Sequence, residues 1–166
     1  GLAAPSARPL FDGIERADSF IVDPHKWLFA PFDCCALVYA DPEKARKAHR
    51  QHGDYLEVFY DGIWNPSDYA HHLSRRARGL PFWFSLAVHG TKAYAEAVEV
   101  TLDCAREAAT MIEAHPDLEM VTDQRLSICV FRRIGWTPEQ YKKWSDALLE
   151  RGDGLVTPTK HEGETV

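Results

Sequence analysis

The 166-residue chain predicts an α/β fold. Three observations lead there. Short apolar runs alternate with turns through the first third of the chain. One long helical stripe occupies residues 80–115. Residues 116–166 then read strand, strand, helix, strand.

In chain order, Asp18 to Val22 reads as a strand entering a turn. Pro24 removes a backbone donor and holds Asp23 extended. Cys34 to Ala40 reads as a second strand. Asp41-Pro42-Glu43 is a helix start, with an Asp cap, Pro at the first helical position and an early acid, and that helix is expected to run to about Arg50. Residues 51–79 have no clean period. They hold Gly53, Gly62, Pro66, many aromatics and the pair His71-His72. A stretch that long without regular structure is expected to be mobile or functional.

The clearest helix follows, with Pro81 in its first turn. Phe84, Val88, Thr91, Ala95, Val98, Leu102, Ala105, Ala109 and Ile112 recur in alternating steps of four and three. Lys92, Glu96, Glu99, Asp103, Arg106, Thr110 and Glu113 fill the opposite face, so one buried stripe and one wet face are expected. Gly90 weakens this helix by roughly 1 kcal/mol relative to Ala and predicts a kink or a close approach there. His115-Pro116 ends it. Leu118 to Val121 and Leu126 to Arg132 are the next strands. Thr137-Pro138-Glu139-Gln140 is a capping box with Pro at the first helical position. Tyr141, Trp144 and Leu148 give that helix an apolar face. Gly152 and Gly154 stop it, and Leu155 to Thr159 resumes an extended path.

Composition narrows the function classes. The chain is 45% hydrophobic and 27% charged, which is ordinary for a globular protein. A net charge of −6 argues against general nucleic-acid binding. No apolar run approaches the ~20 residues of a membrane helix, and no secretory segment opens the chain. The start reads like the middle of a domain and the end lacks a terminating turn, so an excerpt of a longer protein is expected. Cys34, Cys35, Cys104 and Cys129 show no C-x-x-C spacing, so no metal site is expected. They read as small core residues in a reducing, cytoplasmic setting.

The stretch from Asp23 to Cys35 places Lys26 between His25 and Trp27, with apolar runs on both sides. Lysine is almost never fully buried without a partner, and burial disfavours its charged form. Two readings follow. Either Lys26 snorkels out of an apolar wall, or its amine is held dry, neutral and nucleophilic, as Schiff-base chemistry requires.

Residues 17–39, "ADSFIVDPHKWLFAPFDCCALVY", resemble the lysine motif of the group II pyridoxal-phosphate decarboxylases, the family of aromatic-L-amino-acid decarboxylase. The family motif is Asn-Pro-His-Lys-Trp after Ala-Asp-Ser and before Phe-Asp-Cys; here Asp23 replaces the Asn. Residues 67–90, "SDYAHHLSRRARGLPFWFSLAVHG", resemble the family's Asp-Tyr loop and its Arg-Arg-x-Arg and Trp-Phe helix start, with a few residues fewer between Tyr69 and Arg75. The resemblance covers nearly the whole chain.

The resemblance implies a fold-type-I architecture. Residues 1–79 would end the large cofactor-binding domain, with a mobile loop at about 51–79. Residues 80–115 would be the connecting helix, and 116–166 most of a small α+β domain. It implies pyridoxal 5'-phosphate as cofactor, bound through a Schiff base to Lys26, and decarboxylation of a small-molecule L-amino acid to its amine. His25 would sit beside the phosphate or the Schiff base. Asp23 would contact the cofactor only against charge repulsion, or turn toward His25 or a backbone amide. Tyr69 would supply the proton to Cα, and its being a tyrosine favours simple decarboxylation over aldehyde formation; His71 and His72 are weaker candidates for that proton. Arg75, Arg76 and Arg78 would pair with a substrate carboxylate or with acids at a subunit contact. Trp27, Trp83 and Phe84 read as packing residues. A homodimer follows from the resemblance. The family's partner for the pyridine nitrogen lies upstream of the lysine, so these residues alone are expected to be weakly active or inactive. Rival readings are an aldehyde synthase, an aminotransferase or a cysteine desulfurase of the same fold, or a non-catalytic scaffold.

Overall fold

A computed structural model of the chain describes residues 1–51, 53 and 64–166. The expected loop over 51–79 therefore lies partly outside the described residues. The chain forms two compact units, one of Leu2 and Arg8–Ala95, the other of Gly1, Ala3–Ala7 and Glu96–Val166.

In the first unit, two 3-10 turns at Arg8–Phe11 and Ile14–Arg16 lead into β1 (Ser19–Val22). It pairs antiparallel with β2 (Ala36–Tyr39), in the register Ser19↔Tyr39 to Val22↔Ala36. Phe20 and Val22 are half-buried and Ser19 and Ile21 exposed, the period-two alternation of a strand with one covered face. β2 begins later than the sequence suggests. The Cys34 main chain faces His25 Nδ1, with its carbonyl at 2.5 Å and its amide at 3.1 Å, rather than the ladder. α1 (Pro42–His49) starts as expected: the Asp41 carboxylate accepts from the amides of Glu43 at 3.1 Å and Lys44 at 3.4 Å. A 3-10 turn at Pro66–Tyr69 is capped by Asn65, whose side chain accepts from Ser67 N–H at 3.1 Å. It lies against α1, with Arg46 4.0 Å from Asp68.

α2 (Gly79–Ala114) is the long helix, and Gly90 interrupts it at φ 75°, ψ 159°. That conformation is open to glycine and strained for other residues. It ends the helical phase set by residues 79–89, so a stripe counted across it does not keep one face. Val98, Leu102, Ala105, Ala109 and Ile112 are buried as expected, whereas Phe84 and Val88 are exposed. Tyr94 is buried in their place, its hydroxyl donating to Ser85 Oγ at 2.6 Å.

In the second unit, β3 (Leu118–Met120) pairs antiparallel with β4 (Phe131–Arg133). The strand expected from Leu126 starts at Phe131 because Leu126 has φ 52° and Arg125 and Ile128 form a local bridge, which turns the chain there. α3 (Pro138–Arg151) closes its capping box through Thr137 N–H donating to Gln140 Oε1 at 2.8 Å. It stops at Gly152, left-handed at φ 72°. Tyr141 is buried, and its hydroxyl accepts from Arg133 N–H at 2.9 Å and donates to Arg133 O at 3.1 Å. Residues 155–159 are extended without forming a strand; the pairing comes later, in the hairpin β5 (Lys160–His161) and β6 (Glu164–Thr165). Ser6 ties the N-terminal segment to this unit, its amide donating to Glu99 Oε1 at 2.9 Å. The mixed helix and strand content is the α/β class expected. No helix among the described residues is long and apolar enough to cross a membrane.

Candidate functional site

The turn after β1 builds the site. Pro24 is fully buried and pins it from below. Lys26 N–H donates to Asp23 O at 3.0 Å, Phe29 N–H to Lys26 O at 3.3 Å and Ala30 N–H to Pro24 O at 3.0 Å. These bonds fold residues 23–30 into a tight loop and present residues 25 and 26 at its tip.

Lys26 Nζ lies 2.9 Å from Asp23 Oδ2, with the lysine side chain 71% exposed and the aspartate 32%. The bond to Asp23 and then its negative charge hold the amine above the ordinary lysine value. The same bond holds the Asp23 carboxyl below its usual range. Of the two readings of Lys26, this chain by itself shows the exposed, paired amine. The physical reason is local. A carboxylate three residues back on a tight turn is within bonding reach, and a solvated ion pair favours the ammonium. Asp23 turns to Lys26 rather than to His25. Cys35 sits at the edge of the pair, where partial desolvation first, then its bond to Asp23, push its thiol up although the residue is exposed.

His25 Nδ1 lies 2.5 Å from Cys34 O and 3.1 Å from Cys34 N. Its ring meets Phe32 edge-on with centroids 5.1 Å apart. Among the described residues Nε2 has no hydrogen-bond partner. Cys34 is buried, Cys129 half-buried, and Cys35 and Cys104 exposed, so only part of the expected core role of the cysteines holds.

The basic cluster is engaged within the chain. Arg78 Nε donates to Asp33 Oδ1 at 3.0 Å, and Arg76 lies 3.8 Å from the same oxygen. The bond from Arg78, then Asp33's own backbone amide, hold the Asp33 carboxyl below its usual range. Arg75 donates to Pro66 O at 2.8 Å. Asp33 is the residue the sequence reading passed over. Its signal was an acid inside the Phe-Asp-Cys segment and an unbalanced basic run downstream, but a separation of 45 residues hides such a pairing.

Tyr69 ends the 3-10 turn, half-buried, with its ring stacked on Trp64 at 6.1 Å. Its described contacts reach neither Lys26 nor His25. His71 lies between His72 and His49, with ring centroids 5.5 and 6.1 Å away, and His49 Nε2 is 3.2 Å from the Tyr39 hydroxyl. Trp83 and Phe84, expected to pack, are exposed and meet each other edge-on at 5.0 Å. The structure therefore brings Asp23, Lys26 and His25 together on one turn and leaves Tyr69 on another element. Among the described residues no group of three or more His, Cys, Asp or Glu is arranged to hold a metal ion.

Residues 1–134 match the pyridoxal-dependent decarboxylase conserved domain, and the chain belongs to that family. It is 32% identical over 157 residues to aromatic-L-amino-acid decarboxylase of Bacillus atrophaeus, covering 93% of this chain and 32% of that protein. It is 30% identical over 158 residues to 3,4-dihydroxyphenylacetaldehyde synthase of Aedes aegypti, covering 93% of this chain and 30% of that protein. Among solved structures, Oryza sativa TDC with PLP and tryptamine shares the fold at a TM-score of 0.85 and 23% identity, over 98% of this chain and 36% of that one. The chain thus spans about a third of the length of the curated relatives it matches.

Proposed function

We propose that the protein carrying this chain is a pyridoxal 5'-phosphate-dependent carboxy-lyase that converts an L-amino acid to its amine and CO2. One observation carries the reading: the Lys26 amine stands accessible on a hydrogen-bonded turn, next in sequence to His25, whose ring is held by the Cys34 main chain. The residues fit an aldehyde-bearing group, because an accessible amine is what such a group bonds. Once bound, the group supplies an electron-accepting ring.

The chain's own residues then have separate tasks. Asp23 Oδ2 holds the Lys26 ammonium in place. Lys26 Nζ becomes a nucleophile after releasing its proton to water. His25, held by the Cys34 main chain, keeps its imidazole in one orientation on the turn that carries Lys26. Tyr69 Oη holds the proton destined for the substrate Cα, a task a phenol performs without a standing charge. Residues 1–79 end the cofactor-binding domain, 80–115 form the connecting helix and 116–166 belong to the smaller domain. A cytoplasmic homodimer belongs to the same proposal, supported by the motif resemblance and by four free cysteines.

Borohydride reduction of the full-length protein after incubation with pyridoxal phosphate, followed by peptide mapping, tests this. A reduced adduct on the peptide containing Lys26 supports the reading; an adduct absent from that peptide overturns it. Product analysis then separates amine plus CO2 from the aldehyde and peroxide of a synthase.

A further inference from the structure

We propose that Asp33 is a positioning residue for His25, acting through the adjacent Cys34 main chain and held by Arg78, so that the imidazole keeps one orientation on the turn that carries Lys26. This rests on the reading of Lys26 and His25 given above.

The geometry forms one continuous chain of contacts. Arg78 Nε donates to Asp33 Oδ1 at 3.0 Å, and Arg76 approaches the same oxygen at 3.8 Å. Asp33 is covalently next to Cys34, whose side chain is buried and whose carbonyl meets His25 Nδ1 at 2.5 Å. Phe32, on the other side of Asp33, meets the same imidazole edge-on at 5.1 Å. Both contacts that fix the ring therefore come from residues adjacent to Asp33. Nδ1 faces both the Cys34 carbonyl at 2.5 Å and the Cys34 amide at 3.1 Å, so the Cys34 main chain fixes the orientation of the ring whichever nitrogen carries the proton.

Arginine at 78 suits this task. Its charge persists at any working pH, and its planar fork holds a carboxylate in one orientation. The latch joins the loop after Lys26 to the residue just before α2, across 45 positions of sequence. Without it the loop carrying the Cys34 carbonyl has one fewer tie, and the imidazole regains freedom to rotate and change tautomer.

The test uses the full-length protein with 15N-labelled histidine. The wild type should show one protonated and one unprotonated ring nitrogen for His25, assigned with a His25→Gln control. Asp33→Ala and Arg78→Met should each move both signals toward the averaged position of exchanging tautomers. Each should also slow pyridoxal phosphate capture at Lys26 by roughly tenfold to a hundredfold, the range of a small misplacement of a reacting group. Arg78→Lys should recover part of both effects, and the double variant should be no worse than either single one. Unchanged His25 signals in Asp33→Ala and Arg78→Met overturn the proposal, as do additive losses. Should Asp33→Ala not fold, the Arg78→Met and Arg78→Lys pair decides alone. Should the wild type capture no pyridoxal phosphate, the functional reading fails while the nitrogen signals still decide the latch.

Discussion

The loop over residues 23–35 and the unit over residues 96–166 are built on opposite plans. In the latter, aliphatic side chains fill the interior and charges pair on the surface. Leu102 and Val98 are fully buried, while Arg132 bonds Glu119 at 2.9 Å and Glu164 at 3.0 Å outside. In the loop the arrangement is inverted. Phe29 and Phe32 are exposed, Phe29 takes φ 54°, and Asp23, His25 and Asp33 each have one side-chain atom bonded to a named partner. The contrast separates two tasks. One region gains stability from apolar burial. The other holds its polar side chains by short-range ties, with one strained backbone position at Phe29.

The sharpest way to break this comparison is Lys26→Ala. The side chain is exposed and its partner is solvated, so the fold should be unchanged by circular dichroism while covalent capture of pyridoxal phosphate is lost entirely. Residual capture at another lysine would remove the loop's claim to the chemistry. The mirror experiment is Leu102→Ala in the other region. Leu102 is 2% exposed, and its truncation should lower unfolding stability by about 2–5 kcal/mol in a urea titration. An unchanged urea midpoint would mean that burial along α2 is not what supports that unit.

Legibility in the sequence divides along the same line. Local signals were readable because their physics is local: Asp41 and Thr137 as caps, Gly152 as a stop, and Lys26 next to His25 after Pro24. The buried run Val98, Leu102, Ala105, Ala109 and Ile112 was readable because a helix repeats its face. The same count failed at Phe84 and Val88, because Gly90 leaves helical dihedral space and resets the phase. The late start of β2 was not readable, since it depends on a histidine side chain competing for the Cys34 main chain. Nor was the Asp33–Arg78 pair, which needs the tertiary fold to bring distant charges together. The Asp23–Lys26 pair is local, three residues apart on a turn, yet the sequence leaves the state of the amine open because exposure depends on what the fold packs against it.

A smaller effect sharpens the loop's side of the comparison. Asp23→Asn removes the charge that raises Lys26, so the amine should become reactive at lower pH. Competitive labelling with an amine-directed reagent, read at the Lys26 peptide across pH, measures this. The signs follow from the shifts. The raised Lys26 contributes stability that is present below the unfolded lysine pKa and lost as pH rises through its folded value. The lowered Asp23 contributes stability present above the unfolded carboxylate pKa and lost as pH falls through its folded value. Both contributions are modest because the pair is solvated. Identical labelling curves for the two proteins would show that Asp23 does not act on the amine.

The smallest effect belongs to the packed unit. Gln140→Ala deletes the acceptor for Thr137 N–H, a bond of 2.8 Å at the exposed start of α3. That amide sits at a helix end, where water replaces a lost partner, so the loss should be about 0.5–1 kcal/mol. Hydrogen exchange at Thr137 should quicken while amides in the middle of α3 keep their protection. The result bears on the comparison because Gln140 and Leu102 lie in one unit and differ in burial. A Gln140→Ala loss as large as that of Leu102→Ala would mean that polar ties support residues 96–166 as they do the loop. A loss several times smaller would leave burial as the main support of that unit.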